Sequence, residues 1–299
     1  MKKILVIGSG AIGCFFASKI ADKTDLTMLW RNDYQHVIDH GIKIISDRKE
    51  TIFFPKIINN LKDYQEQCDY AIIATKVLPS IDLIAIIKEL KHLPKNIVLI
   101  QNGIHIEKEI YKNFPQCSLI SALAFIAVSK VSCGVFEHFA YGRLTLGNFP
   151  SGINQDCLDL IALFKANNLE AKASEKIEED RWKKLVWNAS FNPVSVLTGG
   201  CDTKKLLDNK NCKDLLQKIM KEIIELACQD GYNLSNDLVN KNIEDTLVMR
   251  PYKTSMLLDF EANRPMEVEA IVGNALNFAK SKSISTPYLS SVYALLSCY

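Results

Sequence analysis

Residues 3–21 read KILVIGSGAIGCFFASKIA. Lys3 to Ile7 is a short apolar run rich in β-branched residues, the pattern of a strand buried on both faces of a parallel sheet. Gly8 ends it. From Ala11 to Ala21 apolar residues recur at helical spacing, and Leu26 to Trp30 then reads as a second strand, so about thirty residues form one βαβ unit. Between strand and helix stand Gly8, Ser9, Gly10, Ala11, Ile12 and Gly13, a GxGxxG pattern in the strand-then-helix context that makes it informative. Gly8 permits the tight turn, Gly10 lets backbone approach a pyrophosphate, and Gly13 lets the helix pack on the strand. The helix N-terminus offers its free N–H groups to the anion. A basic start followed by an apolar run also imitates an export signal; the three glycines inside the run and the strand that follows it argue against that reading.

The alternation continues outward. Candidate strands at Tyr70–Ala74 and Ile97–Ile100 flank an apolar helix, Ile81–Leu90, which predicts a doubly wound parallel sheet. Beyond Ser118, LISALAFIAV, VFEHFA and RLTLGNF are expected to be three strands joined by Gly-containing turns. A helix near Cys157–Asn167 and a last strand at Leu169–Ala173 follow. From Glu175 onward strand signals nearly vanish, and the amphipathic stretches Glu178–Ser190, Asp214–Gln229 and Met266–Ser281 predict helices. A 299-residue chain suits two domains, expected here as a dinucleotide-binding α/β domain over residues 1–172 and an all-α domain over 173–299.

Composition narrows the function. Thirty-six Lys and Arg against 34 Asp and Glu leave a net charge of +2, which excludes general attraction to a polyanion, so no nucleic-acid partner is expected. No segment has the roughly 18 uninterrupted apolar residues of a membrane span. Nine scattered cysteines without a CxxC pair read as free thiols in a reducing compartment, which points to the cytoplasm. His36 and His40 stand four apart but have no third ligand, and no metal is expected.

Three further segments carry chemistry. The second strand ends at Trp30-Arg31-Asn32, where an NAD-binding unit would place an acid for the ribose 2′-hydroxyl. A guanidinium pairs with a phosphate and cannot accept from a hydroxyl, so NADP(H) is the expected cofactor; the competing reading leaves Arg31 solvated and gives the ribose to Asp33. Lys76 and Asn102 follow strands at the edge where such a sheet binds its ligand, Lys76 to add charge near the phosphates and Asn102 to contact nicotinamide ribose or substrate. In WKKLVWNASFNP, residues 182–193, Lys184, Asn188 and Asn192 lie four apart on one helical face, with Trp182 and Leu185 on the core side. The polar stripe either faces solvent or lines a pocket. Glu267 and Glu269, after the break at Arg264-Pro265, suit the start of a helix through its dipole.

Taken together these segments resemble the ketopantoate reductase family along essentially the whole chain. The resemblance rests on GSGAIG, Arg31, the ATK that ends at Lys76, the QNG that holds Asn102, the Gly134–Gly147 region and WKKLVWNASFNP. It extends through SMLLDF, with Glu267 twelve residues after Ser255. It implies a Rossmann-type domain followed by an all-helical domain, with the active site in the cleft between them. NADPH would deliver hydride to the C2 carbonyl of 2-dehydropantoate, giving pantoate on the route to pantothenate and coenzyme A. Lys184 would be the general acid. Asn102 would stand at the junction of cofactor and substrate, Asn188 and Asn192 would bind the substrate, and Ser255 would help hold its carboxylate. Glu267 would contact the nicotinamide end, and Ala127 would offer a backbone contact to the cofactor. Asp202, where a substrate-side asparagine is expected, and Tyr252-Lys253-Thr254 ahead of Ser255 depart from the family pattern. Those departures keep open a related NADPH-dependent 2-oxo acid or opine-type reductase; a non-catalytic NADP(H)-binding regulator is the reading from another class. The small-molecule partner is a 2-oxo acid, and the chain is expected as a monomer or homodimer.

Overall fold

Ile4, Leu5, Val6 and Ile7 are each at most 1% exposed, because the strand that holds them has a parallel neighbour on each side. The computed structural model describes residues 1–299. The chain divides into two compact units: Met1–Lys76 with Ser80–Gln101 and Glu107–Ile177, and Val77–Pro79 with Asn102–Ile106 and Glu178–Tyr299.

The first unit runs β1 (Lys2–Ile7), α1 (Ala11–Ile20), β2 (Thr24–Leu29), α2 (Tyr34–His40), β3 (Ile42–Ser46), β4 (Lys49–Phe53), β5 (Lys56–Ile58) and β6 (Tyr70–Ile73). It continues with α3 (Leu83–Lys88), β7 (Asn96–Leu99), α4 (Lys108–Asn113), β8 (Ser118–Ser132), β9 (Val135–Asn148), α5 (Gln155–Ala166) and β10 (Glu170–Ala173). The strands form one ten-stranded sheet ordered β4-β3-β9-β8-β7-β6-β1-β2-β5, with β10 on β9. The central strands β2, β1, β6, β7 and β8 pair in parallel, which is the Rossmann arrangement. The sheet as a whole is mixed, because β3–β4 and β8–β9 are antiparallel. Phe15 and Phe16 of α1 are buried and meet edge to face at 5.3 Å, while Phe16 reaches Phe164 of α5 at 6.1 Å. Each such ring contributes on the order of 2 kcal/mol by burial.

Two expectations change here. VFEHFA and RLTLGNF are one strand, β9, and the Gly-containing break between them is a bulge: Phe125 pairs with Arg143 and Ile126 with Tyr141, leaving Gly142 unpaired. Tyr141 and Gly142 both take positive φ, 64° and 111°, so the strand bends without ending. The β3–β4 hairpin and β5, between the second and third predicted strands, went unread. Their exposed faces are polar, as in Lys49-Glu50-Thr51, and dilute the apolar signal of an edge strand.

The second unit is helical: α6 (Ile177–Leu197), α7 (Thr203–Asp208), α8 (Lys210–Gln229), α9 (Asp237–Val248), α10 (Ser255–Glu261), α11 (Asn274–Ser281) and α12 (Pro287–Leu296). A π-helical turn, Glu269–Gly273, leads into α11. Trp182, Leu185, Val186 and Ala189 of α6 pack with Leu216, Ile219, Met220 and Ile223 of α8 in one apolar cluster. Pro193 lies inside α6 and removes one helical hydrogen bond. The buried Phe191, Val194 and Val196 on either side carry the helix past it. No helix is long and apolar enough to cross a membrane, and all nine cysteines are free.

Candidate active site

The first member of the polar stripe on α6 is held by residues far away in sequence. Lys184 Nζ donates to Asn102 Oδ1 at 2.9 Å, and Asn102 Nδ2 donates onward to Glu267 Oε2 at 3.3 Å. Glu267 Oε1 accepts from the Val77 backbone N–H at 2.9 Å. All four residues belong to the helical unit, which takes in the short segments Val77–Pro79 and Asn102–Ile106. An ammonium on one side and a carboxylate on the other fix which way the Asn102 amide points, since the reversed amide would set its NH2 against the ammonium. Burial pushes the Lys184 amine down to about 7; Arg181 on the same helix pushes it the same way, and Glu267 opposes them. The amine therefore sits where both its protonation states are populated near neutral pH.

One and two turns further along α6 come Asn188, half-buried, and Asn192, 1% exposed. Asn192 Oδ1 is buried without a hydrogen-bond partner, which costs about 1–3 kcal/mol unless a donor arrives. Ser255 opens α10 and is exposed. The preceding Thr254 caps that helix, its side chain accepting from Leu257 N at 3.2 Å, and its hydroxyl meets Ser195 Oγ at 2.7 Å.

In the first unit the glycine-rich turn is built as its spacing predicts. Gly8 has φ 116°, and a Cβ there would meet the backbone of Ala74 and Thr75 at 2.5 Å. A Cβ on Gly13 would lie 2.0 Å from Gly8 O, whereas one on Gly10 would meet nothing within 4 Å. Gly10 thus faces open space at the start of α1, a helix with no side-chain cap and no acid in its first turn. Those unclaimed N–H groups and that open cradle suit a phosphate, so the residues present fit a dinucleotide.

Comparison with known proteins places the chain in a family. Residues 4–151 match the family model described as ketopantoate reductase PanE/ApbA, and residues 176–299 match its C-terminal model. A 2-dehydropantoate 2-reductase of Nostoc sp. is 30% identical over 98% of this chain and 93% of that protein. The chain belongs to the ketopantoate reductase family. It is an oxidoreductase of that family, and the crystal structure of 2-dehydropantoate 2-reductase from Methylococcus capsulatus is 40% identical with TM-score 0.92, covering 99% of this chain and 96% of that one. D-mandelate dehydrogenase, solved with NADH and anilino(oxo)acetate, shares the fold at TM-score 0.89 and 20% identity, covering 99% and 97%.

Within this ketopantoate reductase fold the remaining expected residues fall as follows. Arg31 is exposed just beyond β2. Asp33, its competitor for the ribose, is engaged by Lys130 Nζ at 2.9 Å, which holds its carboxyl below the usual range. Lys76 closes the first segment of the first unit, and Ala127 lies in β8 between two bulges. Asp202, read as a departure on the substrate side, is a helix cap: its Oδ1 accepts from Lys205 N at 2.8 Å at the start of α7. Tyr252 stacks on Trp187 at 5.9 Å and 8°, and Trp187 stacks on Phe191 at 4.6 Å. Glu269 accepts from the Tyr293 hydroxyl at 2.7 Å, which gives it a structural task that Glu267 does not share. Arg181, one turn before Lys184, went unread; its Nη1 donates to Gly103 O at 3.0 Å. Its i, i+3 spacing from Lys184 was the available signal.

Proposed function

We propose that this chain is an NADPH-dependent 2-dehydropantoate 2-reductase that makes pantoate on the route to pantothenate and coenzyme A. The observation that carries the reading is the Lys184–Asn102–Glu267 relay with an amine near 7 at its head. Gly8 to Gly13 and the α1 N-terminus would hold the cofactor's pyrophosphate, with Lys76 adding charge, Arg31 taking the 2′-phosphate and Ala127 giving a backbone contact. The engagement of Asp33 by Lys130 favours NADPH over NADH, because the acid that competes with Arg31 for the ribose already has a cation. The bound nicotinamide supplies the hydride, which goes to the C2 carbon of the oxo acid.

The chain's own residues then handle charge and protons. As the carbonyl C–O π bond breaks, negative charge gathers on its oxygen, and the Lys184 ammonium stabilises that charge and donates its proton to give the alcohol. The neutral amine left behind retakes a proton from solvent, easily so because its midpoint is near neutrality. Asn102 and Glu267 orient the ammonium and keep part of it charged. Asn188 and Asn192 bind the substrate, the orphaned Asn192 Oδ1 accepting from a substrate hydroxyl, and Ser255 helps hold its carboxylate. The expected split at residues 1–172 and 173–299 shifts to the unit bounds: cofactor binding falls to the α/β unit ending at Ile177, and substrate binding with proton transfer to the helical unit, which includes Asn102–Ile106.

The test is NADPH oxidation by purified protein with 2-dehydropantoate, against a panel of other 2-oxo acids compared by kcat/KM. Lys184→Ala should lower the rate by about 10²–10⁴; no turnover with 2-dehydropantoate, or an unchanged rate in the variant, overturns the reading. A related 2-oxo acid reductase is the second reading, favoured by the shared fold of D-mandelate dehydrogenase, and a different winner in the panel would select it. Tight NADPH binding without turnover on any member would select a regulator.

A further inference from the structure

The Asn102–Ile106 segment carries Asn102 and α6 carries Lys184, and a single carboxylate oxygen touches both carriers. Asp230, the residue that caps the end of α8, accepts at Oδ2 from His105 Nε2 at 2.8 Å and from Trp182 Nε1 at 3.0 Å. His105 comes three residues after Asn102, and Trp182 two residues before Lys184. The arrangement is sheltered, with the His105 and Asp230 side chains 16% and 14% exposed. The imidazole is boxed edge to face by Trp182 at 5.8 Å and Phe278 at 5.4 Å. His105 is also held at φ 58°, a left-handed conformation that costs a residue with a Cβ about 1–2 kcal/mol, so its bond to Asp230 holds the backbone against its own preference. The rest of the segment is strapped likewise. Ile104 O accepts from Asn274 Nδ2 at 2.9 Å, and a Cβ on Gly103 would meet Ala270 O at 2.4 Å.

We propose that Asp230 is a positioning residue that, by gripping His105 and Trp182 together, sets the contact between Asn102 and the Lys184 ammonium. The idea deepens the function proposed above and rests on it for catalysis, though not for geometry. Among the groups facing the Lys184 amine are Asn102 from the segment, Arg181 on its own helix and Glu267 ahead of the π-helical turn. Releasing the segment withdraws the acceptor Asn102 while Arg181 stays, so the ammonium loses support and its midpoint falls further.

The closing experiment reads that midpoint without needing turnover: the pH dependence of Lys184 acylation by acetic anhydride, followed by peptide mass spectrometry on the full chain. Asp230→Ala should move the midpoint acidward by about half a pH unit or more. Asp230→Asn, which keeps an acceptor oxygen for the two donors, should restore most of the wild-type midpoint. In activity assays Asp230→Ala should lower kcat about tenfold with KM for NADPH unchanged, and it should add nothing in an Asn102→Ala background, because it acts through Asn102. An unmoved midpoint, or losses that multiply in the double variant, overturns the proposal. If the chain reduces no 2-oxo acid, the function above fails while the acylation midpoint still decides this one. Should Asp230→Ala fail to fold, His105→Asn, which tolerates the left-handed backbone, releases the same grip and should move the midpoint in the same direction.

Discussion

Replacing Lys184 by Met should make the protein harder to unfold while abolishing its chemistry, and the gain should depend on pH with a definite sign. An ordinary lysine binds its proton up to about 10.5 in the unfolded chain, whereas Lys184 in the fold gives it up near 7. Over the interval between those values the unfolded state holds more protons, so wild-type stability rises with pH. The cost of a half-sheltered ammonium is fully present below about 7 and is relieved as pH climbs toward 10.5. Integrating from pH 6 to pH 9 for a midpoint near 7 gives a wild-type gain on the order of 2.5 kcal/mol that the Met variant cannot share. Other titrating groups act on both proteins alike, and the lost Lys184–Asn102 hydrogen bond lowers the variant by an amount that does not change with pH. Urea unfolding of both proteins across this pH range measures the difference. Trp182 and Trp187 sit on either side of residue 184, so their fluorescence reports the relevant unit. The variant's relative advantage should be largest at pH 6 and shrink by about 2.5 kcal/mol by pH 9. A difference that stays flat, or grows with pH, would refute the claim that burial depresses this amine.

Two other outcomes follow from the geometry. Arg31→Ala should weaken NADPH binding at least tenfold more than NADH binding, since only the former offers a phosphate to a guanidinium; equal losses by fluorescence titration would remove Arg31 from cofactor selection. Asp202→Ala should cost about 1 kcal/mol in urea unfolding through loss of the α7 cap, with kcat/KM within twofold of wild type, and a large fall in kcat/KM would return Asp202 to the substrate side.

The most legible part of the fold was the part where every level of the sequence agrees. β1, the glycine turn and α1 have a buried apolar strand, three glycines at GxGxxG spacing and a helix-period pattern, so strand, turn and helix were all expected within a residue or two of where they lie. The β8–β9 region misled because Tyr141-Gly142 carries the composition of a turn; only the partner strand reveals that one unpaired residue is a bulge. On α6 the spacing of Lys184, Asn188 and Asn192 placed them on a single face, but spacing is blind to burial. It could not tell a solvated stripe from the relay that Asn102 and Glu267 complete from 82 and 83 residues away. Asp202 has a task that its charge does not disclose: its carboxylate accepts from the backbone N–H three residues later and caps α7. His105 and Asp230 carried no pattern at all, being 125 residues apart, and long-range side-chain pairs of this kind become visible only when the chain is folded.

The helical unit is not a continuous piece of chain, since it includes Val77–Pro79 and Asn102–Ile106 from the first half. That threading limits how the protein can be rearranged by recombination. A gene fragment beginning at Glu178 would encode nearly every helix of the unit yet lack Asn102 and the backbone N–H of Val77, both of which donate to Glu267. Exchanging the nucleotide-binding half for that of a distant relative would import foreign versions of both inserts, however well each half was chosen. The two units are thus bound to be inherited together. On the ribosome, too, Asn102 emerges 82 residues before the lysine it will hold, and the relay cannot close until Glu267, a further 83 residues on, has been made.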